Sequence, residues 1–375
     1  MDDSLKKIFS EGLGSLSSIF NSNKGKDESL GIDIGSSAIK VVQLKKKNGK
    51  AVLETYGVIS LGPYGNTEVG TVTNLPTEVL SQALIDVMKE SNVTTKSAVI
   101  AIPSLSSLIF TLSLPNNIPE NQLAKIIPIE ARKYIPVPVS EVTLDWLIIP
   151  QEQYFEGDPK NNTEKKTEVL VVAIHNDTLL KYRDILNKTE LQSDSFEMEI
   201  FSSIRSSFNH DMIPVLLIDF GASKTKFSIV EEGIVRDSHV VNRGAQDVTK
   251  NISQSLGVSF DEAEKLKRLI GIEKSEDGKV ESIARLSIDY IFSDINSIVL
   301  AYEKKYNKNI GKVVLVGGGA LLKGLLDHAK ENFKMEVVFS NPFFKTEAPA
   351  FLTPILEVSG PEFSVAVGLA LRQLS

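Results

Sequence analysis

The stretch GIDIGSSAIKVVQL, beginning at Gly31, returns as LIDFGASKTKFSIV, beginning at Leu217, and this repeat restricts the fold more than any other feature of the chain. Aligning the copies places Asp33 with Asp219, Gly35 with Gly221, Ser37 with Ser223 and Lys40 with Lys226, all at the same offset. A repeat so widely spaced implies two duplicated domains rather than a solenoid. Each copy puts a carboxylate and then a glycine where a hairpin turns. Glycine at such a bend lets backbone N–H groups approach a phosphate oxygen closely, and a neighbouring hydroxyl adds a donor. Two hairpins of this kind facing each other would clamp a polyphosphate, through Gly35, Ser36, Ser37 and Lys40 on one side and Gly221, Ala222, Ser223 and Lys224 on the other. Asp33 and Asp219, just before the bends, are hard oxygen ligands suited to Mg²⁺ held through water. A single copy reads equally well as an ordinary turn in a β-meander. The second copy and a third element, VLVGGGALLKGL, favour the phosphate reading, since Gly317, Gly318 and Gly319 leave bare backbone between a strand and a helix, where a flat ring can lie.

Around these motifs the pattern alternates strands and helices, which predicts an α/β protein of two related halves. Residues 1–29 carry Leu5, Ile8, Phe9, Leu13, Leu16, Ile19 and Phe20 at helical spacing, read either as a weakly ordered tail or as an amphipathic contact for a partner or membrane. Residues 30–104 read as the first half, an antiparallel meander with a turn at NG, then a helix with Thr77 as N-cap and the strand SAVIAIP. Residues 105–192 read as an inserted α+β module, from SLIFTLSLP to the helix NDTLLKYRDILNKTEL, with the polar run QEQYFEGDPKNNTEKKTE as a disordered loop. A connecting helix, EMEIFSSIRSSF, is expected within 193–213, the second half over 214–345, and a return to the first half over 346–375, closed by SVAVGLALRQL.

Composition narrows the function classes. The 375 residues are 42% hydrophobic with a net charge of −7 and no long basic block, which argues against a dedicated nucleic-acid binder. Cysteine is absent, so disulfides, thiolate metal sites and a cysteine nucleophile are excluded and a reducing compartment fits. His175, His210, His239 and His328 show no metal-ligand spacing. No continuous apolar run approaches the ~18–20 residues that cross a bilayer, so a cytoplasmic protein is expected.

These motifs, in this order over residues 30–375, resemble the actin, heat-shock-chaperone and sugar-kinase ATPase superfamily, in which a nucleotide sits between two duplicated α/β domains. The resemblance implies ATP with Mg²⁺ and carries over Glu264 and Lys267, in DEAEKLKR, as adenosine contacts. The loop VVNRGAQDVT departs from the pattern, having Gly244 alone where a glycine pair is expected. The inserted module, with IEARKYIPVPVSEVTLDW, and the later GVSFDEAEKLKR resemble the PilM family of type IV pilus assembly and, less closely, the cell-division protein FtsA, whose C-terminal membrane tail has no counterpart after LRQLS. Membership in the PilM family would imply a cytoplasmic scaffold at the inner membrane. Its partner would be the N-terminal peptide of a single-span, PilN-like membrane protein. The same resemblance aligns Glu199 with a glutamate that would position water for hydrolysis, with Glu197 as the poorer candidate. Hydrolysis and self-association are left undecided by the residues. The alternative is an FtsA-like protein forming membrane-associated filaments. A sugar kinase or a chaperone fits less well, the first lacking any need for the module and the second any following β-domain.

Overall fold

The structure is a computed structural model and describes residues 26–115, 118–149, 166–193, 195–208, 213–275 and 278–374. The apolar stripe from Leu5 to Phe20 and most of the polar run after Pro150 therefore lie outside the described residues.

Two five-stranded sheets carry the duplication. In the first, β1 (Glu28–Ile34), β2 (Ala38–Lys47) and β3 (Lys50–Ser60) form an antiparallel meander, and β4 (Ala98–Ile102) and β8 (Phe196–Met198) extend it in parallel, in the order β3-β2-β1-β4-β8. In the second, β9 (Val215–Phe220), β10 (Thr225–Glu231) and β11 (Ile234–Val241) form the meander and β12 (Lys312–Val316) and β13 (Glu336–Phe339) the parallel extension, in the matching order β11-β10-β9-β12-β13. Even the outer turns agree: Asn48–Gly49 and Glu232–Gly233 all take positive φ, the two-residue geometry that matches strand twist.

A third sheet, β5 (Ser107–Pro115), β7 (Lys166–His175) and β6 (Val142–Ile148) in the order β5-β7-β6, packs with α2 (Glu120–Ala131) around Leu112, Leu114, Leu123, Ile127 and Val171. It is inserted after β4. The helix that follows, α3 (Asn176–Lys188), packs instead in the first half: Leu179, Tyr182 and Ile185 share a core with Leu80 and Leu84 of α1 (Thr77–Glu90). The sequence groups α3 with the module because β7 runs into it without a break.

All five residues of β4 are buried, and alternate ones enter different cores, as a strand with two covered faces requires. Ala98, Ile100 and Ile102 face α1 and α3, while Val99 and Ala101 meet Val365 and Leu369 of α9 (Thr353–Leu374). The C-terminal helix thus returns to the first sheet, where its backbone lies so close to β1 that a Cβ on Gly31 would stand 1.9 Å from Ala366 O. It is twice as long as SVAVGLALRQL suggests, continuing through Pro361. By length and composition Ala350–Leu374 is apolar enough to cross a membrane, which the search for an uninterrupted apolar run misses, but 61% of that apolar stretch is buried inside the protein. Two local expectations also shift. Thr77 is the first helical residue, after Pro76, and makes no side-chain cap. EMEIFSSIRSSF is not helical throughout: Glu197 and Met198 belong to β8, and α4 (Glu199–Ser207) starts only at Glu199.

Candidate functional site

The two hairpins turn over Gly35–Ala38 and Gly221–Lys224, each closed by the glycine N–H donating to the carbonyl three residues on, at 3.0 and 3.1 Å. A Cβ on Gly221 would come within 2.8 Å of Lys224 O, so the turn itself requires glycine. Both turns line one cleft of about 830 Å³ between the halves.

Strand register explains the conserved spacing between acid and lysine in the two copies. Asp33 lies directly opposite Lys40 across β1 and β2, and Asp219 opposite Lys226 across β9 and β10. The ammonium of Lys40 stands 3.5 Å from Asp33, and that of Lys226 2.7 Å from Asp219 and 2.7 Å from Glu199. Burial pushes the Asp33 carboxyl above its ordinary range, against the pull of Lys40. Burial also works against the charge on Lys226, but Asp219 and Glu199 together hold its ammonium well above the usual lysine value. Lys226 is thus a cleft residue on the same footing as Lys40, visible in the internal alignment but left out of the expected binding set.

Glu199 and Glu197 part company. Glu199, at the start of α4, accepts the Ser104 N–H at 2.7 Å through one oxygen and pairs with Lys226 through the other, on the cleft wall. Glu197 is 1% exposed on β8 and is bound by Arg205 and Ser202, outside the cleft lining.

The glycine element follows β12, whose Val316 is in register with Asp219. Gly317 has φ 87°, and a Cβ there would sit 2.5 Å from Asp219 Oδ1; one on Gly319 would meet the Phe220 ring. These two glycines let the backbone pass over the second hairpin, and Gly318 faces Glu362 of α9. The turn runs into a short 3₁₀ segment, Gly318–Leu321, and the helix α8 (Leu325–Phe333), next along the chain after α7 (Lys279–Tyr306), begins later than the sequence suggests. The lone Gly244 has a clear reason: a Cβ would clash with Gly221 O, Ala222 O and Lys224 N. The first amides of α5 (Ala245–Leu256) are taken up by the hairpin itself, Ala245 N–H donating to Gly221 O and Gln246 N–H to Ala222 O. That helix start braces the second turn.

At the far end of the cleft, α6 (Phe260–Ile270) presents Glu264 and Lys267, 2.6 Å apart, with Arg268 2.7 Å from Glu264 and Thr249 donating to it at 2.6 Å. The first half closes on this cluster through Val72 N–H, bound to Gln246 Oε1 at 2.9 Å, and through Gly70. Burial opposes ionisation of Glu264, yet Lys267, Thr249 and Arg268 keep its carboxyl below the usual glutamate value of 4.5. A depressed folded pKa contributes stability above the unfolded value that is lost as pH falls through the folded one. The stability gap between the wild type and Glu264→Gln should therefore be wider at pH 7 than at pH 3, measured by urea denaturation; an equal gap would contradict this.

All the expected site residues meet at the cleft except Gly244, which lies behind the second turn. Among those the sequence pattern missed are Lys181, Tyr182, Gln246 and Glu362. Only Glu362 had a local signal, an acid in the otherwise apolar run PEFSVAV. Among the described residues no group of three or more His, Asp or Glu could hold a metal by itself.

Two sheets of matching order, each presenting a hairpin to a shared cleft, define an actin-like ATPase fold. The chain belongs to the family of the type IV pilus assembly protein PilM, whose family model matches residues 31–374. A solved structure described as the PilM-PilN type IV pilus biogenesis complex superposes with a TM-score of 0.77 at 22% identity, covering 92% of this chain and 98% of that one. The ethanolamine utilization protein EutJ from Carboxydothermus hydrogenoformans superposes at 0.52, with 14% identity and 98% of each chain covered. Among curated proteins, the cell division protein FtsA of Neisseria meningitidis serogroup B is 23% identical over 377 residues, covering 90% of this chain and 88% of its own length.

Proposed function

We propose that this chain is an ATP-binding scaffold of type IV pilus assembly. In this reading it works at the inner face of the cytoplasmic membrane, where it takes up the cytoplasmic N-terminal peptide of a PilN-like single-span protein. The observation that carries the nucleotide half is the pair of register-matched Asp–Lys hairpins opening on one cleft. Two carboxylates fit Mg²⁺, which commonly takes one or two from the protein and completes its shell with phosphate oxygens and water. Asp33 and Asp219 would hold the ion, the two turns would hold phosphates through backbone N–H groups, and Glu264 with Lys267 would meet the adenosine. The bound ion would neutralise phosphate charge. Glu199 would be the residue to hold a water, and to do so it would have to share an oxygen now bound by Ser104 N–H or Lys226.

The partner half rests on the family and on likeness to a chain solved with PilN. The module offers a physical means: among the described residues β5 pairs with β7 alone, so along its other edge, where β11 does not approach it, an extended peptide would add a strand. We take residues 30–104, 193–213 and 346–375 as the first half, 105–192 as the module and 214–345 as the second half, with α3 as the joint between module and first half. The FtsA-like reading is weaker, because the PilM model spans the chain while the FtsA relatives cited share less than a quarter of their residues with it.

Titrating a labelled partner peptide with and without Mg·ATP tests both halves. Affinity is expected to change with nucleotide by about 5–150-fold, the usual range of coupling between sites. No binding in either state would remove the scaffold reading; binding indifferent to nucleotide would keep the partner and discard the coupling.

A further inference from the structure

We propose that Lys226 is a built-in brake on ATP hydrolysis: its one ammonium occupies both Glu199, the carboxylate that would hold a water, and Asp219, a carboxylate that would hold the metal. The inference rests on the nucleotide reading above.

The contacts are close and shielded. Lys226 Nζ stands 2.7 Å from Glu199 Oε2 and 2.7 Å from Asp219 Oδ2, and the lysine, glutamate and aspartate side chains are only 21%, 11% and 18% exposed. The bridge also crosses the cleft. Asp219 and Lys226 face each other on β9 and β10 of the second half, while Glu199 opens α4 on the side of the first. The first hairpin is looser: among the described residues its matching lysine, Lys40, pairs with Asp33 at 3.5 Å.

The reaction shows what such a bridge withholds. In ATP hydrolysis a water oxygen bonds to the terminal phosphorus, the bond from that phosphorus to the oxygen of the leaving ADP breaks, and the water gives up a proton. Glu199 can orient that water and take its proton only through an oxygen open to it. Oε1 accepts the Ser104 N–H at 2.7 Å, and Oε2 accepts the Lys226 ammonium at 2.7 Å. A carboxylate beside an ammonium is also a weaker base, because the positive charge favours its ionised form. Asp219 is confined in the same way, with Oδ2 on Lys226 and Oδ1 against Gly317. Lys226 therefore competes with water for Glu199 and with a divalent cation for Asp219.

Removing the ammonium would free Glu199 without loosening it. Ser104 N–H is backbone, at the start of the 3₁₀ turn Ser104–Ser106, and keeps Oε1 in place while Oε2 is released. The sign of the effect is diagnostic. A lysine acting on the phosphates would slow hydrolysis when removed, whereas a brake would speed it.

The test compares the full-length wild type with Lys226→Met, Lys226→Arg and the Lys226→Met, Glu199→Gln double variant. At saturating Mg·ATP, phosphate release by Lys226→Met should be at least about tenfold faster than by the wild type, within what a freed general base supplies. Lys226→Arg keeps the charge and should stay near the wild-type rate, and the double variant should lose the gain. Lys226→Ala is a second neutral variant with the same expectation as Lys226→Met. A further readout needs no turnover: Mn²⁺, titrated into nucleotide-free protein as a paramagnetic probe, should bind Lys226→Met about tenfold more tightly than the wild type, the size of effect one neighbouring charge exerts. Neutral variants that hydrolyse no faster, a gain that survives Glu199→Gln, or an unchanged Mn²⁺ affinity would overturn the proposal. Calorimetric ATP binding by the same proteins separates the two readings. Binding without the gain in rate overturns the brake alone, and a wild type that binds no ATP overturns the nucleotide reading as well.

Discussion

Glu197→Ala is expected to cost about 3–5 kcal/mol of stability, the range for removing one partner of a buried ion pair. Glu197 accepts both Arg205 guanidinium nitrogens at 2.6 Å and the Ser202 hydroxyl at 2.8 Å, and Arg372 stands 3.6 Å away. Arg205 also donates to Gly368 O, and Arg372 to Phe196 O. One carboxylate therefore joins β8, α4 and α9 where the C-terminal helix closes on the first half. Burial already weighs against the charge of Arg372 and lowers its pKa, and without Glu197 that penalty loses its main compensation. Glu197→Gln, which keeps shape and an acceptor, should retain part of the stability. Urea denaturation of the three proteins checks the ordering; a loss below about 1 kcal/mol for the alanine variant would mean that the network contributes no more than a surface pair.

The contrast between Glu197 and Glu199 shows where the sequence stops being legible. Both sit in EMEIFSSIR, and a helical reading makes them two residues of one element, on nearly opposite faces, with nothing to say which face meets the cleft. The short strand β8 ends between them, so one turns into the core and the other toward the cleft. A three-residue parallel strand has no periodicity of its own and forms because β4 offers it a ladder, which is a tertiary cause. The hairpins were readable for the opposite reason. Their constraint is local, a carboxylate two residues before a glycine bend, and the second copy supplied an internal control. Gly317 and Gly319 were readable as positions without room for a side chain, but the sequence assigned that room to a flat ring, whereas here Asp219 and Phe220 approach them. Lys181 and Tyr182 were not readable, because an ordinary amphipathic helix reaches the cleft only once the module between β4 and α3 has been folded out of the way.

The largest functional effect is expected at the two hairpin aspartates. Asp219→Ala should weaken Mg·ATP binding at least tenfold, about 1.4 kcal/mol, and Asp33→Ala likewise. They lie on different sheets and pair with different lysines but would hold the same ion, so their losses should not simply add, and the double variant should lose little more than the stronger single one. Asp33→Ala also removes the carboxylate beside Lys40, while Asp219→Ala leaves Lys226 with Glu199 alone. Phosphate binding without the metal could then persist, and the loss should appear chiefly as lost dependence on Mg²⁺. Calorimetric titration of ATP into the wild type and into the Asp33→Ala, Asp219→Ala double variant, with and without Mg²⁺, tests the clamp most directly. The account predicts tight, Mg²⁺-dependent binding by the wild type and weak, Mg²⁺-indifferent binding by the variant; unchanged Mg·ATP affinity in the double variant would contradict it.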